Sequence, residues 1–158
     1  MKELRKELRH RRKSIDKPTR KKEGKKILHQ CQKNGLFRSA KHIAIFTPND
    51  GEIETHSTII FLTKHGYFVY LPILVGEKLK FAKMGNHSRK NRFGIDEPIY
   101  TPQLGAHQMD LILMPLVGFD KYKNRLGMGG GFYDKTLSFH SNRKNYNAPK
   151  LFGLAFDC

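Results

Sequence analysis

Two nearly continuous apolar segments constrain the fold of this chain more than any other feature. They are YFVYLPILV at 67–75 and MDLILMPLV at 109–117. Segments of this kind are typical of β-strands that are covered on both faces. Further strands are predicted at 42–47, 78–84 and 150–156, and helices at 54–65 and 132–140. Because strands alternate with helices, we predict an α/β fold, a layered sandwich with a largely parallel or mixed sheet flanked by helices.

Two basic helices are predicted before the first strand, over residues 1–35. In the first helix Leu4, Leu8 and Ile15 fall on one stripe, so we expect this helix to dock by a narrow apolar seam. Asp16 is the predicted N-cap of the second helix, and a proline in its first turn is compatible with that start.

Size and composition predict one domain. The chain has 158 residues, of which 38% are hydrophobic, and this is enough for a single core over 1–158 without disulfides or a structural metal. The two cysteines, Cys31 and Cys158, lack the spacing of a metal site, and Cys31 is expected to be a small core residue. The polar segments 85–108 and 138–149 are predicted to be mostly loop.

No apolar segment approaches the roughly 18 residues that a membrane-spanning helix needs. The first residues, MKELRKELRHRR, are charged and have no apolar stretch behind them, so they do not resemble a secretory signal. We therefore expect a cytoplasmic protein with no membrane partner.

The positive charge is concentrated near the N-terminus. The chain has 30 Lys and Arg against 14 Asp and Glu, a formal net charge of +16, and residues 1–26 hold 13 of these cations and four acids. Such a concentration attracts polyanions in general. It is therefore compatible with nucleic acid, with nucleotide phosphates, with an acidic small molecule, or with a solvated helix face.

The residues that indicate a chemical function lie between the strand at 109–117 and the helix that starts near Phe132. Four glycines occupy five positions there: Gly127, Gly129, Gly130 and Gly131. Glycines allow close backbone approach, so several N–H groups can point at one anion. A turn that uses glycines only for steric reasons is the alternative.

Two charged residues flank these glycines. Arg125 precedes them and Asp134 follows them. A cation, a set of backbone amides and a carboxylate able to hold Mg²⁺ are the parts needed to bind a nucleoside triphosphate. The segment is neither a Walker A loop, since no Lys-Ser/Thr follows the glycines, nor a complete GxGxxG motif.

The segment NRLGMGGGFYDKTL resembles the signature of the 5-formyltetrahydrofolate cyclo-ligases, approximately RLG-x-G-x-G-[YF]-YD. Further segments resemble the same family in the same order along the chain. They are the basic helix at 1–12, FTPNDGEIET at 46–55, NRFGIDEP at 91–98 and MDLILMPLVGFD at 109–120. The resemblance thus spans nearly the whole chain.

The resemblance implies ATP- and Mg²⁺-dependent conversion of 5-formyltetrahydrofolate to 5,10-methenyltetrahydrofolate, with release of ADP and phosphate. It implies catalytic roles for Arg125 and Asp134, with Asp134 also the metal ligand. The implied folate-binding residues are Thr47, Glu52, Met128, Gly129, Gly130, Gly131 and Phe132. The implied ATP-binding residues are Lys2, Glu3, Leu4, Arg5, Arg125, Leu126, Gly127, Met128, Gly129, Gly130, Gly131, Phe132 and Tyr133. We expect a monomer that binds folate and no nucleic acid.

Two departures from the family pattern leave alternatives. Met1 stands where the family usually has a lysine, and the chain ends at Asp157-Cys158, before the segment that supplies the family's second metal-site aspartate. We therefore expect the family's C-terminal segment to be missing. The alternatives to a working cyclo-ligase are a member that binds ATP or folate with little turnover, and a basic nucleic-acid-binding domain that uses residues 1–26.

Overall fold

The structure, a computed structural model, describes residues 1–142 and 148–157. Its α-helices are α1 (Lys2–Ser14), α2 (Lys17–Lys33), α3 (His56–Lys64) and α4 (Phe132–Thr136), and 3₁₀ helices lie at Ala106–Gln108 and Ser138–Asn142. Its strands are β1 (His42–Ala44), β2 (Phe68–Val75), β3 (Lys78–Lys83), β4 (Ser88–Lys90), β5 (Asp96–Pro98), β6 (Gln103–Leu104), β7 (Leu111–Pro115), β8 (Gly118–Phe119), β9 (Arg125–Leu126) and β10 (Lys150–Leu154). Among the described residues, no helix is both long and apolar enough to cross a membrane.

The central sheet is mixed, as predicted. Its strand order is β10-β7-β1-β2-β3-β6. The three pairs among β10, β7, β1 and β2 are parallel, whereas β3 pairs antiparallel with both β2 and β6. Two antiparallel ribbons, β4-β5 and β8-β9, stand beside this sheet. The chain is therefore an α/β fold with a sheet that is parallel on one side of β2.

Both faces of the sheet are buried, which explains the continuous apolar segments. On one face Ile43, Val69 and Leu111 pack with residues of α2 and α3. On the other face Tyr70 and Ile112 pack with residues near α4 and the 3₁₀ helices. Since neighbouring residues of a strand point to opposite faces, each strand needs apolar residues at consecutive positions. Burying one such side chain contributes about 1.5–3 kcal/mol.

The first helix docks differently from the prediction. We expected an apolar seam, but Leu4 is 47% exposed, and the one buried residue of α1 is Arg12, at 3% exposure. Leu8 and Ile15 are only half-buried. The helix is therefore held mainly by polar contacts of a buried guanidinium.

The second helix agrees with the prediction. The Asp16 side chain accepts a hydrogen bond from the Thr19 N–H at 2.7 Å, as an N-cap does. Cys31 is a buried free thiol in the core, and burial raises its pKa. Cys158 lies outside the described residues.

Several predicted boundaries shift. The strand predicted at 42–47 ends at Ala44, and the segment predicted as mostly loop at 85–108 contains β4, β5, β6 and a 3₁₀ helix. These strands are two or three residues long and polar, so they carry no periodic signal that would distinguish them from loop. The predicted loop at 138–149 begins with a 3₁₀ helix, and residues 143–147 of it lie outside the described residues.

Candidate active site

A cavity of about 550 Å³ lies where the parallel strands β1 and β7 end. Ligand sites in open α/β sheets form at this place, outside the carboxyl ends of the strands. The cavity is lined by Met1, Arg5, Phe46, Thr47, Asn49, Asp50, Glu52, Pro72, Leu74, Leu79, Asn91, Phe93, Ile95, Glu97, Pro115 and the whole segment from Arg125 to Asp134. One cavity thus brings together most of the site residues predicted from the sequence.

The glycine loop, residues 127–131, forms one wall of this cavity. Gly129 and Gly131 have φ of 107° and 66°, in the left-handed region that favours glycine. Within the described part of the chain, none of the loop's five backbone N–H groups donates a hydrogen bond to the protein. The five-residue helix α4 that follows is too short to add a strong helix dipole. The loop amides are therefore free to bind an anion in the cavity.

Helix α1 contacts this loop through Arg5. The Nε of Arg5 donates a hydrogen bond to the Gly127 carbonyl at 2.8 Å. The same guanidinium lies over Gly129, where a Cβ would stand 3.6 Å from the Arg5 Cζ. Arg5 thus places a positive charge next to the loop, and its role in ATP binding, which the resemblance implied, stays a prediction.

Arg125 and Asp134 form an ion pair at the edge of the cavity. The Arg125 side chain is mostly buried and lies over the Tyr133 ring, with 5.7 Å between the Cζ and the ring centroid. Burial raises the pKa of the Tyr133 hydroxyl, so this group stays protonated at neutral pH. Asp134 is largely exposed, so its carboxylate is accessible to a ligand.

Thr47 and Glu52 line the cavity from the loop that follows β1. This loop closes on itself, because the Glu52 N–H donates to the Asn49 carbonyl and the Asn49 N–H donates to Glu52 Oε2, both at 3.0 Å. Burial raises the pKa of the Glu52 carboxyl to about 7, although the Asn49 amide and the charge of Arg12 oppose this shift. Glu52 is therefore a half-buried carboxyl that faces the glycine loop across one cavity.

The wall formed by residues 91–97 was not predicted from the sequence. Phe93 packs edge-on against Phe132, with ring centroids 5.9 Å apart, and the Arg92 guanidinium lies over both rings. Glu97 is 5% exposed and accepts hydrogen bonds from the Leu74 N–H and the Asn91 side chain. The only indication in the sequence that this segment belongs to the site was the resemblance of NRFGIDEP to the family.

Three predicted site residues do not line the cavity. Lys2, Glu3 and Leu4 are exposed on the first turn of α1, while Met1 and Arg5 reach the cavity. On a helix Met1 and Arg5 share a face, and the three residues between them point elsewhere. Roles for Lys2, Glu3 and Leu4 in ATP binding stay predictions. The described residues also contain no group of three or more His, Cys, Asp or Glu side chains that could hold a metal ion by themselves.

Comparison with known sequences points to a single protein family. A model of the 5-formyltetrahydrofolate cyclo-ligase family matches residues 1–158. The chain is 41% identical over 128 residues to the 5-formyltetrahydrofolate cyclo-ligase of Haemophilus influenzae, covering 77% of this chain and 66% of that protein. It is 39% identical over 126 residues to the Escherichia coli K12 protein of the same name, covering 75% and 67%. The chain thus spans about two thirds of the length of these curated relatives.

Two solved structures have the same fold. The NMR structure of Aquifex aeolicus 5,10-methenyltetrahydrofolate synthetase matches with a TM-score of 0.83 at 25% identity, covering 98% of this chain and 77% of that one. A 5,10-methenyltetrahydrofolate synthetase from Mycoplasma pneumoniae matches with a TM-score of 0.67 at 25% identity, covering 87% and 76%. These likenesses confirm the predicted α/β architecture.

Proposed function

The chain belongs to the 5-formyltetrahydrofolate cyclo-ligase family, and we propose that it converts 5-formyltetrahydrofolate to 5,10-methenyltetrahydrofolate in the cavity described above, consuming ATP and releasing ADP and phosphate. One observation carries this proposal. The unpaired amides of the glycine loop and the Glu52 carboxyl line the same cavity. A site for a polyanion and a site for an amine-bearing ring therefore share one cavity.

ATP is the ligand that suits the glycine loop. Several free N–H groups that converge on one space bind phosphate oxygens well. Arg5 and Arg125 add two guanidinium groups, and guanidinium groups bind phosphate by paired hydrogen bonds. These contacts would hold the triphosphate and neutralise charge that develops on it as the terminal phosphoryl group is transferred.

The folate is the ligand that suits the opposite wall. The Glu52 carboxylate can accept hydrogen bonds from the amine and amide edge of a pterin ring. Phe93 and Phe132 offer flat apolar surfaces in the same cavity. With both ligands bound, the formyl oxygen would lie near the terminal phosphate, which is the arrangement that the reaction requires.

The reaction needs no protein nucleophile, so the role of these residues is to position the two ligands. An N-formyl oxygen leaves poorly, so ATP first phosphorylates it. The folate nitrogen N10 then attacks the formyl carbon and gives up its proton, and the oxygen departs within phosphate, which can take up that proton. Atoms balance, since the oxygen lost by the folate is the fourth oxygen of the phosphate released. The protein's contribution is alignment and charge neutralisation.

Asp134 can supply one carboxylate ligand of the Mg²⁺ coordination shell. Mg²⁺ bound with ATP takes one or two carboxylates, phosphate oxygens and several waters, so one exposed carboxylate beside the loop satisfies the protein's share. When bound, Mg²⁺ supplies charge neutralisation at the phosphates. Asp134 would hold it, and Arg125 would keep that carboxylate at the edge of the loop.

The two alternatives receive less support. Four of the basic residues of α1, namely Arg5, Arg9, Arg12 and Lys13, contact other parts of the protein, so these four do not belong to a free patch for nucleic acid. Binding of ATP and folate with little turnover differs from the proposal only in the rate of the chemical step, which the experiment below measures.

The test is formation of the methenyl product from 5-formyltetrahydrofolate, ATP and Mg²⁺, followed by its absorbance. We expect turnover that Arg125→Ala and Glu52→Gln reduce by at least tenfold. The matched control is Arg11→Ala, which removes an exposed arginine of α1 that pairs with Glu7 and lies outside the cavity, so it should leave the rate unchanged. ATP binding without product supports the low-turnover alternative, and salt-sensitive binding to nucleic acid that ATP does not affect supports the other.

A further inference from the structure

Arg12 is the one buried residue of α1, and the sequence analysis gave it no role. Its guanidinium contacts three separate parts of the chain. Nη2 donates to Asp50 Oδ2 at 2.9 Å and to the Asp50 carbonyl at 2.8 Å. Nη1 lies 3.4 Å from the Leu116 carbonyl, and Nη2 lies 3.4 Å from Met128 Sδ. One side chain therefore joins α1, the turn before Glu52, the end of β7 and the glycine loop.

The turn that Arg12 holds has an unfavourable backbone conformation. Asp50 has φ of 51°, which few residues other than glycine adopt, and Gly51 follows with φ of 78°. A Cβ at position 51 would stand 3.2 Å from the Lys13 Cα, so the turn is pressed against the end of α1. External contacts are needed to hold such a turn, and Arg12 provides three hydrogen bonds to Asp50.

This turn also fixes the folate side of the cavity. Glu52 follows it directly, and its carboxylate is tied to the Asn49 N–H within the same turn. A displacement of Asp50 would therefore displace the Glu52 carboxyl. On the other side of Arg12, Met128 lies within the glycine loop, between the amides that we assign to the triphosphate.

We propose that Arg12 is a positioning residue that fixes both ligand-binding walls of the cavity relative to each other. This inference rests on the proposed function, because it assigns the folate to the Glu52 wall and ATP to the loop wall. Arg12 itself does not line the cavity, so it acts through Asp50 and Met128 rather than by touching a ligand. Catalysis that depends on alignment is sensitive to displacements of about 1 Å, which can cost on the order of a hundredfold in rate.

Arg12 is distinguished from its neighbours by the number of walls it holds. Arg5 contacts the glycine loop, through the Gly127 carbonyl. Arg9 contacts the turn, through the Asp50 carboxylate. Only Arg12, among these three, bridges the turn and the loop.

The experiment measures KM for ATP, KM for 5-formyltetrahydrofolate and kcat in Arg12→Lys and Arg12→Met. Lysine keeps the charge but cannot reach Asp50, Leu116 and Met128 with one planar group. We expect both variants to raise both KM values by about tenfold and to lower kcat. Arg5→Lys is expected to raise KM for ATP alone, and Glu52→Gln to raise KM for the folate alone. Arg9→Lys, the control on the same carboxylate, should change neither value by more than twofold.

If Arg12 only stabilised the fold, a folded Arg12 variant would keep the wild-type KM for at least one of the two ligands. Asp50 keeps Arg9 and Lys13 as ionic partners in Arg12→Met, so the carboxylate is not left unpaired and the variant should fold. Unfolding in urea checks this. A folded Arg12→Lys with either KM unchanged would overturn the inference.

Equilibrium dialysis with ATP alone, and with 5-formyltetrahydrofolate alone, separates this inference from the proposed function. If the wild-type protein forms no methenyl product but binds both ligands, the proposed turnover fails and the dialysis of Arg12→Lys still decides the positioning role. Weaker binding of both ligands supports the inference, and unchanged binding of either one refutes it.

Discussion

Gly24 of α2 lies against the backbone carbonyl of Glu54, so closely that a Cβ at position 24 would stand 2.1 Å from the Glu54 oxygen. This approach lets α2 pack on the segment that runs from the Glu52 turn into α3. A backbone carbonyl that leads into a helix cannot move aside as a flexible side chain can.

The first prediction concerns this contact. Gly→Ala within a helix usually stabilises a protein by up to about 1 kcal/mol. Here we expect Gly24→Ala to lower the free energy of unfolding by about 2 kcal/mol, because overpacking costs more than the helix propensity gains. Urea unfolding measures the difference, and Lys21→Ala, at an exposed position of α2, is the control. A more stable Gly24→Ala would contradict the close approach.

The second prediction concerns Asp50 and acid. Burial alone would raise the pKa of the Asp50 carboxyl, but hydrogen bonds and charges from Arg9 and Lys13 lower it from 3.8 to about 2. A lowered folded-state pKa contributes stability that is present above pH 4 and is lost as the pH falls toward 2. We expect this contribution to be about 2 kcal/mol.

Unfolding of Asp50→Asn across this range provides the measurement. The variant should be less stable than the wild type at pH 7 by at least that amount, and the difference should shrink between pH 4 and pH 2. A difference that stays constant with pH would show that the charge of Asp50 is not what stabilises the turn.

The third prediction concerns Glu52 and has the opposite sign. Burial raises the pKa of the Glu52 carboxyl from 4.5 to about 7, so its contribution to stability is present below pH 4.5 and is lost as the pH rises through 7. We expect the ligand-free protein to lose about 2–3 kcal/mol across this window, after allowance for solvent screening.

Glu52→Gln removes the titration and keeps the shape of the side chain. The free energy of unfolding of this variant should exceed that of the wild type at pH 8 and match it near pH 4.5. Thermal or urea unfolding at the two pH values checks this, and an equal pH dependence in both proteins would refute the burial of an ionisable group at this position.

The fourth prediction concerns Phe93, on the wall that was not predicted. Phe93 is 50% exposed and packs on Phe132 beside the glycine loop. We expect Phe93→Ala to raise KM for the folate at least fivefold with little effect on stability, because an aromatic contact with a bound ring is lost. The control is Phe119→Ala, since Phe119 is 63% exposed on the β8-β9 ribbon and outside the cavity. Equal KM values for the two variants would remove Phe93 from the binding site.

The sheet and the glycine loop could be predicted from the sequence because their signals are local. A strand buried on both faces needs consecutive apolar residues, as at 67–75 and 109–117, and a bare amide loop needs glycines at fixed positions. The short strands within 85–108 could not be predicted, since their formation depends on tertiary contacts rather than on a repeating pattern. Arg12 was missed for a similar reason. An arginine on a basic helix has the same sequence signature whether it is solvated or buried.

Thr47 and Glu52 were predicted from resemblance alone, and the structure gives a physical reason for their proximity to the loop. They follow β1, which lies next to β7 in the sheet, and the glycine loop follows β7 after one short ribbon. Parallel neighbours end at the same edge, so the two segments meet there.

The hydrogen bond from Arg5 to the Gly127 carbonyl joins residues 122 positions apart. Helix α1 can therefore make this contact only after residue 127 has been synthesised. Fragments released before that moment would lack half of the phosphate cradle. We therefore expect fragments that end before Gly127 to bind no nucleotide at this site.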